Sequence, residues 1–297
     1  MSPIALRNTY RILAVSFVFI CALTGCGQPA NDEDHDFSAL LEQLEQELGG
    51  TIGVFAMDTT TGDELVYRAD ERFAMASTFK PLLVAAVLAE VDAGTLSLED
   101  RYGIDNVEMQ SYAPVVGKLA ANETISLADL CAAAITLSDN MATNMLLDVI
   151  GGPDELTQFL RRSGDDVTRL DRYEGALNSN IRDDERDTST ARAMSHSVYR
   201  LLNSDILSAA SKRRITEWLI ASETGYSRLR AGLPPGWTVG DKTGMGANGA
   251  ANNFAIAWPP GRKPVVMTVF MSWSDADVET LNAAHAKIAA QIARSFE

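Results

Sequence analysis

Histidine and cysteine are scarce in this sequence, and their scarcity limits the chemistry that the chain can perform. The three histidines, His35, His196 and His285, are scattered, and none stands at a metal-ligand spacing from a cysteine, an aspartate or a glutamate. The sequence also lacks the G-x-S-x-G turn that presents the nucleophile in one large class of serine hydrolases. A zinc hydrolase and a Ser-His-Asp hydrolase are therefore disfavoured, and we expect neither a metal nor a cofactor.

Positive charge is also in short supply. Lysine and arginine together number 25 against 40 aspartates and glutamates, which gives a net charge of −15. Because nucleic-acid binding needs clustered lysine and arginine, no nucleic-acid partner is expected. A buried pocket can still be locally positive in an acidic protein, so an anionic small molecule is compatible with this composition. The 297 residues, 46% of them hydrophobic, suffice for one large domain or two small ones.

The N-terminus carries a short apolar run rather than a long one. The run ILAVSFVFICAL has twelve residues, whereas a membrane-spanning helix needs ~20. Arg7 and Arg11 precede it and LTGC (Leu23 to Cys26) ends it, a pattern that predicts a signal peptide over residues 1–25. LTGC resembles the bacterial lipobox, which implies a lipid on the sulfur of Cys26 and an anchor outside the cytoplasm, in the periplasm or at the cell surface. The alternative is an ordinary signal peptide with a chance cysteine.

The cysteines give no reason to expect a disulfide bond in the mature domain. Cys21 would leave with the signal peptide and Cys26 would carry the lipid, so Cys131 would be the one remaining thiol. Cys131 lies in LADLCAAAITL, an apolar run with helical character. We therefore expect it to be a small buried hydrophobic residue.

The order of helical and strand patterns predicts one domain over residues 37–297. Residues 26–36 are acidic and turn-rich and are expected to be a tether. Apolar spacing predicts a helix that begins at residue 37, followed by two strands joined by a turn at Thr61-Gly62. Helices are then predicted at 78–93, 126–137, 140–150, 153–163, 188–203 and 207–221. Three strands and a last helix at about 277–296 end the chain.

Because strands stand near both ends of this domain and helices lie between them, we expect an α/β fold of the α+β sandwich type. One antiparallel sheet would be assembled from both chain ends, about 37–68 and 220–297, and covered by the N- and C-terminal helices. An all-helical lobe would occupy about 69–219. A cleft between the sheet and this lobe is the expected place for a functional site.

The segment STFK places Ser77 and Lys80 three residues apart at the start of an apolar helix. Residues at this spacing share a helix face, so the ammonium should lie beside the hydroxyl. Backbone N–H groups at a helix start also suit an oxyanion. The pattern is common by chance, and a serine that only caps the helix is the alternative.

The segment SDN interrupts two helical runs. Ser138 could relay a proton there, and Asn140 could offer an amide to a substrate. Short polar residues between helices are usually caps, however, and Asp139 or Asn140 could be only that.

The segment DKTG ends a strand pattern. Lys242 and Thr243 could present a cation and a hydroxyl to a carboxylate from a strand whose edge amides stay free. The overlapping segment GMGANG (Gly244 to Gly249) satisfies G-x-G-x-x-G, but strand-like sequence follows it where a dinucleotide site needs a helix. A nucleotide site is therefore rejected.

The segment DRYEGALN (Asp171 to Asn178) is charged and should form a loop. Glu174 is either a solvated surface acid or a residue that holds a water with Asn178. The combination decides between these readings, because S-x-x-K, S-D-N, E-x-x-x-N and K-T-G in this order should occur by accident in well under ~1 in 10³ chains.

With these motifs in place, the chain resembles the class A serine β-lactamases, in the superfamily of penicillin-binding proteins. The likeness covers nearly all of the chain from about residue 37, because QSYAPV resembles the aromatic cleft wall of the family and DRYEGALN resembles its Ω-loop. The resemblance implies hydrolysis of the β-lactam amide of penicillins and cephalosporins through a serine acyl-enzyme, and hence resistance. It also implies an Ω-loop within the helical lobe, a monomer and a small-molecule substrate.

The resemblance implies a role for each catalytic residue. Ser77 would be the nucleophile, and the acylation base is either Lys80 or Glu174 acting through a water. Ser138 would pass a proton to the lactam nitrogen, and the backbone N–H groups of Ser77 and Met245 would bind the oxyanion. The implied substrate-binding residues are Tyr112, Asn140, Asn178, Arg228, Lys242, Thr243 and Gly244.

The Ω-loop carries the step that follows acylation. Glu174 and Asn178 would place the hydrolytic water, and the ion pair of Arg172 and Asp187 would tie the loop together. Gly175 stands where relatives often have proline. If the bond between Glu174 and Gly175 were cis, it would cost ~3 kcal/mol and a more mobile loop would be expected.

One substrate contact departs from the pattern of many relatives, and it bears on Arg228. Ala251 stands where these relatives carry an arginine that grips the carboxylate, and Arg228 matches the substitute of other members.

Three other functions are compatible with part of the motif set. A D-Ala-D-Ala peptidase shares Ser77, Lys80 and the K-T-G motif but lacks an Ω-loop glutamate. A β-lactam sensor would acylate and stop. A structural envelope lipoprotein is disfavoured by the complete set of motifs.

Overall fold

The computed structural model describes residues 32–105 and 107–297. The predicted signal peptide, Cys21 and the predicted lipidation site at Cys26 lie outside the described residues. Within the described ranges, no helix is both long and apolar enough to cross a membrane.

The described elements follow the predicted order of helices and strands. The strands are β1 (Thr51–Asp58), β2 (Glu64–Tyr67), β3 (Phe73–Ala74), β4 (Arg101–Gly103), β5 (Thr124–Ser126), β6 (Thr188–Ser189), β7 (Thr238–Met245), β8 (Ala251–Trp258) and β9 (Val265–Ser272). The helices are α1 (Asp32–Leu48), α2 (Lys80–Asp92), α3 (Leu127–Thr136), α4 (Asn140–Ile150), α5 (Pro153–Arg162), α6 (Ala191–Asn203), α7 (Ala209–Ile220), α8 (Leu229–Gly232) and α9 (Val278–Ser295).

The main sheet is built from both ends of the domain, as predicted. It has five antiparallel strands in the order β2-β1-β9-β8-β7. All eight residues of β9 are buried, because this central strand is covered on both faces. Val265, Met267 and Val269 pack on the side of α1 and α9, while Val266 and Phe270 pack on the side of the helical lobe. This alternation is the period of two that a pleated strand imposes.

The helical lobe is arranged around α2, which positions the site. Residues 80–88 of α2 are all buried, as expected for a helix that neighbours surround on every side. Cys131 is buried and free on α3, next to α2, which confirms the prediction for this residue. Burial raises the pKa of its thiol, so it behaves as a hydrophobic residue.

Several boundaries differ from the predicted ones for local reasons. Helix α1 begins at Asp32, so at least residues 32–36 of the predicted tether are helical. The predicted helical lobe also contains the short sheets β3–β6 and β4–β5. Strands of two or three residues are too short for their periodicity to be read from sequence.

Candidate active site

A cleft of about 670 Å³ lies between β7 and the helical lobe. Lys80, Glu174 and Lys242 are buried and make contact with residues that line it. The predicted site residues that line the cleft are Ser77, Tyr112, Ser138, Asn140, Asn178, Arg228, Thr243, Gly244 and Met245. The structure therefore brings residues from four separate sequence motifs to one place.

Ser77 lies in a short 3-10 helix, Ala76–Phe79, which leads directly into α2. Its hydroxyl donates a hydrogen bond to Glu174 Oε1 at 3.3 Å. Gly244 on β7 packs against this turn, and a Cβ atom there would lie 3.0 Å from the backbone nitrogen of Ser77. A glycine is needed at this position because β7 must come this close to the serine.

Lys80 is fully buried and is the centre of the polar network. Its Nζ donates to the Ser138 backbone oxygen at 2.9 Å, to Ser138 Oγ at 3.2 Å and to Asn140 Oδ1 at 2.7 Å. Nζ also lies 2.9 Å from Glu174 Oε1. Burial lowers the pKa of Lys80 below its ordinary value, although the carboxylates of Glu174 and Asp139 oppose this shift.

Ser138 lies between two lysines. Its Oγ accepts hydrogen bonds from Lys80 Nζ at 3.2 Å and from Lys242 Nζ at 3.0 Å. With both ammonium groups donating to this oxygen, the hydroxyl proton of Ser138 is directed away from them. The backbone of Ser138 has φ = 59°, in the left-handed region, between α3 and α4.

Asp139 is the residue that fixes the S-D-N turn. Its carboxylate accepts from the backbone N–H of Ala142, which makes it the N-cap of α4. The same carboxylate accepts from Val115 and Val116, on the segment next to the cleft wall. The cap reading of Asp139 is thus confirmed, and the cap holds Asn140 at the first position of α4.

The whole side chain of Glu174 is buried, so the alternative interpretation of this residue as a solvated surface acid is wrong. Asn178 Nδ2 donates to Glu174 Oε2 at 2.8 Å, and the Glu174 N–H donates to Asn144 Oδ1 at 2.9 Å. Burial raises the pKa of Glu174, but the Lys80 ammonium and the hydrogen bond from Asn178 outweigh this effect, and the pKa lies below its ordinary value. Asn178 Oδ1 is buried and has no hydrogen-bond partner among the described residues.

Lys242 and Thr243 bring a cation and a hydroxyl to the opposite side of Ser138. Lys242 Nζ donates to the backbone oxygen of Thr243 at 2.8 Å as well as to Ser138. Burial and the nearby Lys80 ammonium hold the pKa of Lys242 well below its ordinary value. The Thr243 hydroxyl donates to Thr224 Oγ1 at 2.7 Å.

Arg228 lines the cleft, but most of its donors are already used. Its Nη1 donates to the backbone oxygens of Gly244 and Asn252, at 3.1 and 2.7 Å. Its Nε donates to Asn282 Oδ1, and its Nη2 lies 2.7 Å from the sulfur of Met245. These contacts leave one N–H for a substrate carboxylate. Burial lowers the pKa of Arg228 to about 10.

Asn144 and Thr224 contact residues of the predicted set, and sequence reasoning missed both. Asn144 stands four residues after Asn140 on α4, so the helix period could have indicated it. Thr224 lies in a loop before β7 and is located only by its contact with Thr243. No spacing rule in the sequence signals that contact.

The Ω-loop is tied by the predicted pair. Arg172 Nε lies 2.5 Å from Asp187 Oδ2, and Asp187 Oδ1 also accepts from the backbone N–H groups of Asp171 and Arg172. The described peptide bonds are trans, so the condition for the expected mobile loop at Gly175 is not met. Gly175 instead has φ = 95°, a conformation that glycine adopts without strain.

Replacing Asp187 with asparagine should destabilise the protein by about 3 kcal/mol, because a buried charge-assisted network loses its anion. Chemical denaturation followed by circular dichroism measures this change. Asp183→Asn is the matched control, since Asp183 is exposed on the same loop and should change the free energy of unfolding by less than about 0.5 kcal/mol. Equal effects of the two variants would contradict a special role for Asp187.

Comparison with known proteins agrees with this geometry. A model of the "Beta-lactamase enzyme family" matches residues 36–296. The chain is 45% identical to β-lactamase AST-1 of Nocardia asteroides over 81% of this chain and 77% of that one. It is 44% identical to the carbapenem-hydrolyzing β-lactamase KPC of Klebsiella oxytoca over 83% and 85% of the two chains.

A solved structure gives the same result. The class A β-lactamase of the last common ancestor of Gram-negative bacteria (GNCA4) superposes with a TM-score of 0.86 at 47% identity, over 88% of this chain and 99% of the other. Matches of this extent, joined to the four motifs in one cleft, establish the family. The chain belongs to the class A serine β-lactamases.

Proposed function

We propose that the protein hydrolyses the β-lactam amide of penicillins and cephalosporins through an acyl-enzyme on Ser77, and that this activity confers β-lactam resistance. One observation carries the proposal. The buried carboxylate of Glu174 contacts the hydroxyl of Ser77, the ammonium of Lys80 and the amide of Asn178 at once. A group that reaches both the nucleophile and a water-binding amide can serve both halves of a hydrolysis.

In the acylation step Ser77 Oγ attacks the lactam carbonyl and must lose its proton. Glu174 is ionised because its pKa is lowered, and the Ser77 O–H already donates to it. Lys80 pairs with Glu174 and is therefore protonated in this arrangement. We infer that Glu174 takes the proton, directly or through a water, while Lys80 stabilises the charge that forms.

The lactam nitrogen must receive a proton as the ring opens. Ser138 suits this role because Lys80 and Lys242 both donate to its oxygen and leave its own proton free to transfer. Lys80 can then return a proton to Ser138 Oγ and take the proton that Glu174 received from Ser77, which leaves Glu174 ionised for deacylation. Lys242 and Thr243, helped by Arg228 and by the backbone of Gly244, would bind the substrate carboxylate as a charge-assisted pair.

The remaining substrate contacts follow from the walls of the cleft. The N–H groups of Ser77 and Met245 would hold the oxyanion, since Gly244 brings the end of β7 against the serine turn. Asn140 would bind the side-chain amide of the substrate, and Tyr112, half exposed at the rim, would cover its apolar part.

Deacylation needs a water beside Glu174. Asn178 donates to Glu174 through Nδ2, and its buried Oδ1 is available to accept from such a water. The water would then lie between an ionised carboxylate and an amide oxygen, where Glu174 can remove its proton during attack on the ester.

We also propose that the protein acts outside the cytoplasm as a monomer, anchored by a lipid on Cys26. The support is the N-terminal pattern of Arg7, Arg11 and LTGC. Metabolic labelling with a clickable palmitate should give a signal that Cys26→Ala abolishes. Labelling that persists in this variant would contradict the anchor.

Burst kinetics with a chromogenic cephalosporin test the hydrolase. Sustained turnover far beyond one equivalent is expected. A burst of one equivalent that leaves a stable adduct on Ser77 would identify a peptidase or a sensor instead.

The rate should depend on pH through Glu174 and Lys242. The lowered pKa of Glu174 keeps it ionised at neutral pH, and kcat should fall as the pH drops through that value. Burial holds the pKa of Lys242 well below its ordinary value, so kcat/KM should fall as the pH rises, at a lower pH than an ordinary lysine would give, because the carboxylate site loses its cation. A pH–rate profile for a penicillin checks both limbs.

Lys242→Arg is the matched variant for the alkaline limb. A guanidinium keeps its charge to higher pH, so the limb should move up by at least ~1 pH unit even if kcat/KM falls overall. A limb that does not move would assign it to Lys80 and contradict the role of Lys242.

A further inference from the structure

Two asparagines hold the Ω-loop to the turn between β7 and β8, and we call Asn180 and Asn248 the asparagine clasp. Asn248 Nδ2 donates to the backbone oxygens of Ser179 and Asn180, at 3.0 and 3.2 Å. Asn180 Nδ2 donates in return to the backbone oxygen of Asn248 at 2.9 Å. Each side chain of the clasp thus binds the backbone of the other segment.

Both clasp residues have left-handed backbones, with φ = 42° at Asn180 and 50° at Asn248. This conformation costs an L-residue roughly 1–2 kcal/mol, and asparagine tolerates it best because its amide can bond locally. At these two positions the amides bond instead across the gap between two segments. The left-handed turns therefore aim each amide at the opposite segment.

The asparagine clasp is also bound to the end of the central strand β9. Asn180 is 5% exposed, and its Oδ1 accepts from Ser272 Oγ at 3.1 Å at the end of β9. The backbone oxygen of Asn248 also accepts from the Trp273 N–H at 2.7 Å. The rigid central strand therefore sets the position of the clasp, and the clasp transmits that position to the Ω-loop.

The segment that the clasp positions is the one that carries Asn178. The Asn178 backbone oxygen accepts from the Ala247 N–H at 2.8 Å, and a Cβ atom on Gly246 would lie 2.9 Å from that oxygen. Because Asn180 is two residues beyond Asn178, a shift of the clasp would move Asn178 relative to β7. Asn178 Nδ2 in turn donates to Glu174 Oε2 at 2.8 Å.

We propose that the asparagine clasp is a positioning device for deacylation. It keeps Asn178 at the distance from Glu174 that holds the hydrolytic water, while the position of Ser77 depends on the start of α2 and on β7. The inference rests on the proposed hydrolase function. Lys80 and Asn144 also hold Glu174, at 2.9 Å each, and neither contact involves the clasp. Loss of the clasp should therefore displace mainly Asn178, which slows deacylation and leaves the contact of Glu174 with Ser77, and hence acylation, nearly unchanged.

The test is Asn248→Gly in the full chain, because glycine keeps the left-handed backbone and removes only the amide. Stopped-flow measurement gives the acylation rate with a chromogenic cephalosporin, and mass spectrometry of quenched samples gives the acyl-enzyme fraction. The deacylation rate should fall at least about tenfold, since a displacement near 1 Å at a reacting group has effects of ~10². Acylation should stay within about threefold, so kcat and KM should fall together.

Two further variants distinguish the loss of the Asn248 amide from the added backbone freedom that any glycine brings to a loop. Asp183→Gly is the control, because Asp183 also has a left-handed backbone (φ = 60°) on the exposed part of the same loop and should leave both rates unchanged. Asn248→Asp keeps the shape of the residue but cannot donate to two carbonyls, and it should reproduce the deacylation defect of the glycine variant.

The double variant Asn180→Gly/Asn248→Gly completes the test. If the two residues act as a unit, its deacylation defect should equal that of a single variant rather than their product. A parallel fall of both rates, an unchanged deacylation rate, or the same defect in Asp183→Gly would overturn the proposal. The wild-type enzyme is measured alongside, and failure of the wild type to turn over would contradict the hydrolase function and not the clasp.

Discussion

Ser77→Ala should reduce kcat/KM for a chromogenic cephalosporin on the order of 10⁵-fold, because it removes the hydroxyl that contacts the Glu174 carboxylate and would form the covalent intermediate. The hydroxyl contacts Glu174, and the Ser77 backbone lies against Gly244 at the end of β7, where the N–H groups of Ser77 and Met245 would bind the oxyanion. Those binding groups remain in the variant, so it should still bind the substrate. Mass spectrometry of the protein mixed with the drug should show no adduct.

The Ser77→Ala variant should fold, which keeps the result interpretable. The hydroxyl makes one weak hydrogen bond of 3.3 Å to Glu174, so its loss should change the free energy of unfolding by at most about 1 kcal/mol. Ser111→Ala is the matched control, because it removes a hydroxyl from the exposed wall of the same cleft. It should change kcat/KM by less than about threefold. An adduct on Ser77→Ala would show that another residue is the nucleophile.

The predicted fold follows from strong local patterns. Strand-like runs in β1, β8 and β9, with turn residues between them, and predicted helices at both ends of the domain indicated a covered sheet made from both chain ends, and the structure confirms it. The register of β1 on β9 pairs Thr51 with Ser272, a contact across the whole domain that no local pattern specifies. The sequence therefore predicts which segments form the sheet, while their alignment depends on how the whole core packs.

In the candidate site, too, local sequence patterns do not specify the contacts between distant segments. Helical spacing predicted that Ser77 and Lys80 share one side of a turn, and both do face the same network. The partners of Lys80 are 58 or more positions away, at Ser138, Asn140 and Glu174, so only the assembled fold reveals that one ammonium serves all three. The motif combination identified the set of residues, and the tertiary structure supplied their contacts.

The asparagine clasp could not be predicted from the sequence. Asn180 and Asn248 are 68 positions apart and belong to none of the four catalytic motifs. Asparagine in a turn-rich segment is ordinarily explained by its own turn, because its side chain bonds locally. Only the hydrogen bonds of the folded protein show that each amide reaches the other segment.

Glu174→Gln should convert the enzyme from a hydrolase into a protein that traps the drug. The amide keeps the size of the side chain but cannot take a proton from water, so deacylation should slow by roughly 10²–10⁴-fold. Acylation should slow less. The Glu174 carboxylate now raises the pKa of Lys80 against the effect of burial, and without this anion the Lys80 pKa should fall further. A neutral Lys80 amine could then take the Ser77 proton in place of Glu174.

The expected signature is a burst of one equivalent followed by a slow steady rate, with a stable adduct on Ser77 in the mass spectrum. Glu185→Ala is the matched control, since Glu185 belongs to the same loop with its side chain 68% exposed and should leave turnover unchanged. A steady-state rate of Glu174→Gln equal to that of the wild type would remove Glu174 from the mechanism. Loss of the burst together with the steady rate would instead show that Lys80 cannot replace Glu174, which would make Glu174 the sole base for acylation as well as for deacylation.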